Sequence, residues 1–400
     1  MAEQAYSYII VGTGLSGISA ADGIRQLDQY GSIVLLGAEK DPPYDRPPLS
    51  KQLWTGAKAV NDVFLHDEKF YAAGAIDVRR GVEVTQINPA AHRLHDSAGN
   101  AYRYQRLLLA TGGTPKRLGI PGGDLDGISY YRTLHDYREL RGSAHAGRSA
   151  LVIGGGFIGS EIAAALCMNG LVVTMMFPSA WLVPRVFPEP LGRYLTEQYR
   201  HKGIEVLPGD VPLSIERDGP GYVTRTRAGR DIHTDLVVAG IGIAPNTSLA
   251  QAAGISTGDG VLVNEFLQTS APDVYAAGDI AFAPQAVLGP RRVEHWDNAT
   301  NQGRHAGRNM AGGRDPFTYI PFFFSDLFEF GYEAVGDIDS RLQTFADWQE
   351  ENKTGVIYYL DGDRLRGVMM CNVWEKVDAA RALIQRAEPV SVGSLRGGIR

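Results

Sequence analysis

The stretch LVIGGGFIGSEIAAAL, Leu151–Leu166, repeats a pattern that the chain has already used at Tyr8–Ile24, YIIVGTGLSGISAADGI. In each copy a short apolar run meets glycines at G-x-G-x-x-G spacing, and helical apolar periodicity follows. The glycines are Gly12, Gly14 and Gly17 in the first copy and Gly154, Gly156 and Gly159 in the second. Strand, tight turn and helix in that order make a cradle for a pyrophosphate. The first glycine makes the turn, the second lets the phosphate approach the backbone, and the third lets helix and strand pack closely. Free N–H groups at the start of the helix face the anion.

The strands that follow differ. SIVLLGAE, residues 32–39, ends at Glu39, a carboxylate placed to accept hydrogen bonds from an adenosine ribose. LVVTMMF, residues 171–177, runs instead into Phe177, Pro178 and Ser179, with Arg185 the nearest arginine. Its spacing leaves NADH and NADPH both open. Two such folds in series predict two dinucleotides on one chain, and hydride passing between them. The first would be a flavin held permanently, the second a nicotinamide that comes and goes.

Between the copies, RLLLATGGTPKRLGIPG carries a strand into Ala110, Thr111 and Gly112, and DLVVAGIGIAPNTSL, which includes Gly242, echoes it after the second copy. A third strand ends at Gly278 and Asp279, where the aspartate either holds a sugar-like hydroxyl chain or caps a helix. The order predicts an α/β protein with a discontinuous first domain, residues 1–114 and 245–317, interrupted by a second dinucleotide fold at 115–244. Residues 318–400 read as a smaller α+β domain. There TGVIYYLDGDRLRGVMMCNVW is a hairpin and EKVDAARALIQRA a helix.

A chain of 400 residues is long enough for two or three cores. Its net charge of -6 argues against bulk nucleic-acid or anionic-membrane binding. The first strand starts close to Met1 with no basic segment before it, and no apolar run approaches the ~18 residues that span a bilayer. The expectation is a cytoplasmic protein. Its two cysteines, Cys167 and Cys371, are too far apart in sequence for a C-x-x-C dithiol, and the histidines lack metal-ligand spacing, so no metal is expected.

Taken together, IIVGTGLSG, PYDRPPLSK, LLLATGGTPKRL, IGGGFIGSE, VYAAGDIA, VEHWDNATNQG and PFFFSDLFEFGYEAVG resemble the FAD-dependent ferredoxin and rubredoxin reductases of oxygenase systems, and the related apoptosis-inducing factor. The resemblance implies two Rossmann-like domains of the glutathione-reductase type plus a C-terminal α+β domain. It implies electrons passing from NADH through FAD to a ferredoxin or rubredoxin, in a monomer or homodimer. Without a dithiol, those electrons leave directly to an external acceptor.

By the same resemblance, Gly12, Gly14, Leu15, Ser16 and Gly17 hold the FAD pyrophosphate, Glu39 its ribose and Val82 its adenine. Arg46, Lys51, Ala110, Thr111, Gly112 and Arg132 line the flavin, Gly278 and Asp279 hold its ribityl chain, and His295 and Trp296 lie beside its ring. Gly154, Gly155, Gly156, Phe157, Ile158, Gly159 and Gly242 are implied for the nicotinamide nucleotide, with Glu294 and Glu333 near its ring; Phe324, in PFFFSDL, reads either as stacking over the same pocket or as part of an aromatic core cluster.

The spacing puts Glu161 on the first turn of the second glycine helix, where a carboxylate also suits the helix end. The resemblance pairs it with Lys51, and the two, with Trp296, are the catalytic candidates. Trp296 reads equally as core or as a lid on the flavin. The basic residues Arg291, Arg292, Arg304 and Arg308 read either as a docking face for an acidic ferredoxin or as solvated surface. Two further readings stand beside the reductase: an NAD(P)H oxidase or quinone-type reductase, and a redox-switch binding protein.

Overall fold

The computed structural model describes residues 3–386 and 388–399 and divides into two compact units. The first runs to Asp45 and takes in Val60–Thr114 and Ala244–Pro321; the second comprises Arg46–Ala59, Pro115–Ile243 and the chain from Phe322 onward.

In the first unit, strands Ile76–Arg80, Ile33–Gly37, Gln4–Val11, Ala101–Leu109 and Val274–Ala276 lie side by side in that order, all parallel. Ile9, Ile10, Leu35, Leu107 and Leu108 are wholly buried, which explains why the stretches YIIV, IVLL and LLL that contain them read as continuous apolar runs rather than as alternation. A hairpin, Val84–Asn88 with Arg93–Asp96, extends the sheet along the start of Ala101–Leu109.

Helices Leu15–Arg25 and Trp296–Met310 meet backbone to backbone. A Cβ added at Gly303 would lie 2.3 Å from the Ser16 carbonyl oxygen, and one at Gly307 would lie 2.0 Å from that of Ala20. On the facing helix, one at Gly23 would lie 2.1 Å from the Arg304 carbonyl oxygen. The small residues along both helices are what permit that approach.

In the second unit, the parallel strands run Glu205–Pro208, Val172–Phe177, Ser149–Ile153, Leu236–Ala239, Ile128–Ser129. Its C-terminal part is an antiparallel sheet in the order Phe322–Leu327, Phe330–Gly336, Arg364–Cys371, Thr354–Asp361, Gln343–Glu350. The hairpin read from the sequence is there. Asp361 pairs with Arg364 around Gly362, whose φ of +61° suits a tight two-residue turn. The helix read beside it spans Val377–Gln385, and Ala387 at the end of the expected stretch lies outside the described residues.

Segment 46–59 is held in this unit by its backbone carbonyls. The Tyr131 hydroxyl donates to Leu49, that of Tyr137 to Leu53 at 3.2 Å, and the Asn169 amide to Trp54 at 3.2 Å. Among the described residues no helix is long and apolar enough to cross a membrane.

Gly307→Ala is expected to destabilise the fold by about 1–3 kcal/mol, because a rigid backbone carbonyl must move to admit the methyl group. A lowered urea midpoint with unchanged slope would show it; an unchanged midpoint would mean that the helices slide apart freely.

Candidate active site

The two glycine turns share one backbone wiring. Gly12 N–H donates to Leu36 and Gly154 N–H to Met176, both at 2.8 Å; Ala110 N–H donates to Val11 and Gly240 N–H to Ile153, again at 2.8 Å. The first glycines sit at φ +117° and +121°, and a Cβ there would lie 2.1 Å from the Ala110 carbonyl oxygen or 2.3 Å from that of Gly240. At the third position the obstacle is the turn itself. A Cβ on Gly17 would lie 2.1 Å from the Gly12 carbonyl oxygen, and one on Gly159 2.0 Å from that of Gly154.

The middle glycines differ from both. A Cβ at Gly14 or Gly156 would meet no atom within 4 Å, so the backbone there is open to a ligand's approach. Each is the N-cap of its helix, with no side-chain cap and no acid in the first turn, which leaves N–H groups for an anion. The buried Ser16 hydroxyl has no hydrogen-bond partner among the described residues. Both turns therefore fit the pyrophosphate of a dinucleotide.

Setting Leu36 against Met176 by this wiring aligns Thr13 with Gly155, Gly37 with Phe177 and Glu39 with Ser179. At the first pair, bulk has changed sides. The Thr13 side chain occupies the space a Cβ on Gly37 would need, 2.2 Å from its Oγ1, whereas the Phe177 ring lies 2.6 Å from where a Cβ on Gly155 would stand.

In the first unit, several of the expected residues come together at this turn. Glu39 accepts a hydrogen bond from the Tyr44 hydroxyl at 2.6 Å, and Val82 N–H donates to Gly37 at 2.8 Å, beside it. Gly278, at φ +80°, comes so close to Ser16 that a Cβ there would lie 2.9 Å from the serine Cβ. Its N–H donates to Gln302 at 2.8 Å. Asp279 sits inside the short turn Gly278–Ile280, whose cap is Ala277, so the helix-cap alternative does not apply. Thr111 donates to the Asn246 carbonyl at 3.0 Å, and Gly112 takes φ +62°.

His295 caps helix Trp296–Met310 by position, and burial pushes its imidazole down to about 4, with Asp279 opposing the shift. Trp296 is 39% exposed, which removes the core alternative. Glu294 is exposed and pairs with Arg292. Three of the four basic residues meet an acid: Arg292 also reaches Asp259 at 3.2 Å, Arg304 reaches Asp22 at 3.1 Å and Arg308 reaches Asp315 at 3.3 Å, while Arg291 donates to the Gly289 and Leu288 carbonyls.

The second unit holds the other group. Glu161 is the fifth residue of helix Phe157–Met168, just past the first turn in which its spacing from Gly159 set it, so the helix end does not account for it. Its carboxylate is 7% exposed, lies 2.9 Å from Lys51 Nζ, and accepts hydrogen bonds from the Ser50 and Ser325 hydroxyls, both at 2.5 Å. The two serines were missed in the sequence, although each adjoins a quoted candidate, Lys51 or Phe324. Burial drives the Tyr199 and Tyr332 phenols well above their usual range, with the Glu161 charge adding to the effect.

Lys51 Nζ also lies 4.8 Å from the Phe324 ring centroid, and Phe324 faces Glu333 directly across the strand pair. Burial raises the Glu333 carboxyl, a backbone hydrogen bond from Glu375 opposing it, and Oε2 has no hydrogen-bond partner among the described residues. Arg46 donates to the Arg132 carbonyl at 2.9 Å, and Arg132 N–H to Asp136 at 2.9 Å. Phe157 and Ile158 open the helix, Ile158 being 37% exposed. Gly242, at φ +97°, accepts from Lys116 N–H at 2.9 Å. Both cysteines are free; Cys371 is wholly buried, which raises its thiol away from the reactive thiolate form.

Residues 6–303 match the family model described as pyridine nucleotide-disulphide oxidoreductase. The chain belongs to that family. Residues 306–354 match a second model, the C-terminal region of mitochondrion-associated apoptosis-inducing factor. The ferredoxin–NAD(+) reductase component of the anthranilate 1,2-dioxygenase system of Burkholderia cepacia is 34% identical over 383 residues, 94% of this chain and 93% of its own. Monodehydroascorbate reductase 3 of Arabidopsis thaliana is 32% identical, covering 98% and 95%. A crystal structure of the covalent putidaredoxin reductase–putidaredoxin complex superposes with a TM-score of 0.92 at 31% identity, over 99% of this chain and 96% of that one. The resemblance read from the motifs and the two-Rossmann fold class are thereby borne out. Although the family is named for disulphide chemistry, this member's two cysteines form no disulfide.

Two outcomes follow for this family member. Lys51→Met strands the Glu161 carboxylate and is expected to destabilise the fold by about 3–5 kcal/mol, much of it recovered in the Lys51→Met/Glu161→Gln double variant. Additive losses in urea unfolding would show the pair to be uncoupled. Between pH 6.5 and about 4, unfolded chain binds a proton at His295 that folded chain does not, so acidification through that window lowers stability. His295→Gln should lose less stability than the parent from about pH 7 to about pH 5, read from urea midpoints.

Proposed function

We propose that the protein is a cytoplasmic flavoenzyme that passes electrons from NADH through FAD to a small iron–sulfur protein. The observation that carries this reading is two dinucleotide turns on one chain whose two cysteines are both free, 0% exposed in the case of Cys371. With no dithiol to receive them, electrons go to an acceptor outside the chain; the Burkholderia cepacia relative is a ferredoxin–NAD(+) reductase component, and the putidaredoxin reductase structure is a complex with putidaredoxin.

In this reading residues 1–114 and 245–317 bind FAD, residues 115–244 bind the nicotinamide coenzyme, and residues 318–400 form the C-terminal domain. Bound FAD supplies the means of taking a hydride and giving up electrons singly. The chain's own part is binding and orientation. Gly14 and Ser16 present N–H and hydroxyl donors to one pyrophosphate, Glu39 accepts from the ribose beside it, and Asp279 accepts from the ribityl hydroxyls. The Gly154–Gly159 turn holds the second pyrophosphate. Glu161, fixed by Lys51, Ser50 and Ser325, keeps a localised charge pair one helical turn from the backbone that receives the coenzyme.

A second reading, direct reduction of a small organic acceptor, rests on the monodehydroascorbate reductase relative and on the pairing of Arg292, Arg304 and Arg308 with acids, which reduces the charge they offer an acidic carrier.

The test is anaerobic stopped-flow reduction of the yellow protein by NADH, followed by mixing with oxidised ferredoxins, rubredoxin and monodehydroascorbate. Rapid bleaching and fast reoxidation by one ferredoxin is the expected result. Fast reoxidation only by the small acceptor would select the second reading. Slow bleaching that no acceptor relieves would reject both in favour of a binding switch.

A further inference from the structure

The two turns of this chain differ at the position that reads a ribose. Shared wiring sets Ser179 in the place of Glu39. Glu39 presents a carboxylate; Ser179 presents a neutral hydroxyl, and that hydroxyl donates to the Trp181 carbonyl of its own loop at 2.9 Å. The loop is tied down on both sides. Gly209 N–H donates to the Ser179 carbonyl at 3.0 Å, and Val183 N–H to that of Gly155 at 2.7 Å. Before it, the wholly buried Phe177 ring fills the space beside Gly155. From Phe177 to Ala180 the end of this strand carries no charge at all.

A carboxylate at this position does two things: it accepts from a 2'-hydroxyl, and it repels a 2'-phosphate. Ser179 does neither. A 2'-phosphate site would instead hold an arginine ready. Arg193 bonds to Glu189 at 2.7 Å and lies 5.3 Å from the Trp181 ring, and among the described residues no hydrogen bond fixes the guanidinium of exposed Arg185 toward this loop. Neither attraction nor repulsion is built in for the phosphate that distinguishes the two coenzymes.

We propose that the second glycine turn accepts NADH and NADPH with little discrimination, and that Ser179 is the residue whose neutrality sets this tolerance. The inference rests on the reading of that turn as the nicotinamide site.

The test is isothermal titration of the FAD-loaded protein with NAD+ and with NADP+, alongside reduction rates with NADH and NADPH. The two dissociation constants are expected within about tenfold of each other. Ser179→Glu should weaken NADP+ at least about tenfold, through repulsion between two anions in a partly buried site, while leaving NAD+ unchanged or tighter. Should Ser179→Glu fail to retain FAD, Ser179→Asp carries the same charge on a shorter side chain and should move the ratio in the same direction. Discrimination beyond about tenfold in the parent, or a ratio indifferent to the introduced carboxylate, would overturn the proposal. Binding of neither coenzyme would remove the reading of the turn itself, a separate failure.

Discussion

Each glycine helix can lie against its sheet only because the third glycine of its turn has no side chain. A methyl group at Gly17 or Gly159 would sit about 2 Å from a carbonyl oxygen of the same turn. That oxygen cannot retreat, because its residue is held at the other end by a neighbouring strand. The close approach brings the helix's first N–H groups level with the end of the sheet, where a ligand phosphate can reach them. In the first unit the constraint propagates outward: the helix that carries Gly17 is itself met backbone to backbone by Trp296–Met310, through Gly303 and Gly307. The same helix begins at His295 and Trp296, so the packing of small residues sets where those side chains start.

The Lys51–Glu161 pair does comparable work in the second unit by different physics. It joins three stretches distant in sequence: segment 46–59, the second glycine helix, and the edge strand Phe322–Leu327. Two charges this deeply buried lose much hydration. Their attraction offsets that loss only with good geometry and further hydrogen bonds, which the two serine hydroxyls provide. Such a pair tolerates little displacement, and so it fixes the position of the segment that carries Lys51.

The fold was legible where local chemistry dictates local geometry. Gly12 and Gly154 need a left-handed backbone, and the apolar runs before them need burial on both faces; either is visible in a single window of sequence. The hairpin at Gly362 was legible for the same reason. Contacts between remote segments were not. Nothing in the spacing of PLSK or PFFFSDL says that Ser50 and Ser325 converge on one carboxylate. Only the resemblance joined Lys51 to Glu161, which was also expected in the first turn of its helix and lies just beyond it. Nor could the sequence show that Arg304 has an acid to hand, since Asp22 lies far from it along the chain.

The exchange of bulk between the two turns bears on how such a repeat diverges. Thr13 with Gly37, and Gly155 with Phe177, are two solutions to one packing problem, and neither half of one works with the other half of its counterpart. A threonine opposite Phe177 would overfill the gap, while glycine on both sides would leave it underfilled. The milder intermediate is the hollow one, so a duplicated turn could cross from one solution to the other only through a less stable ancestor. The two halves of the chain are thus locked apart: a segment copied from one turn into the other would arrive without its complement.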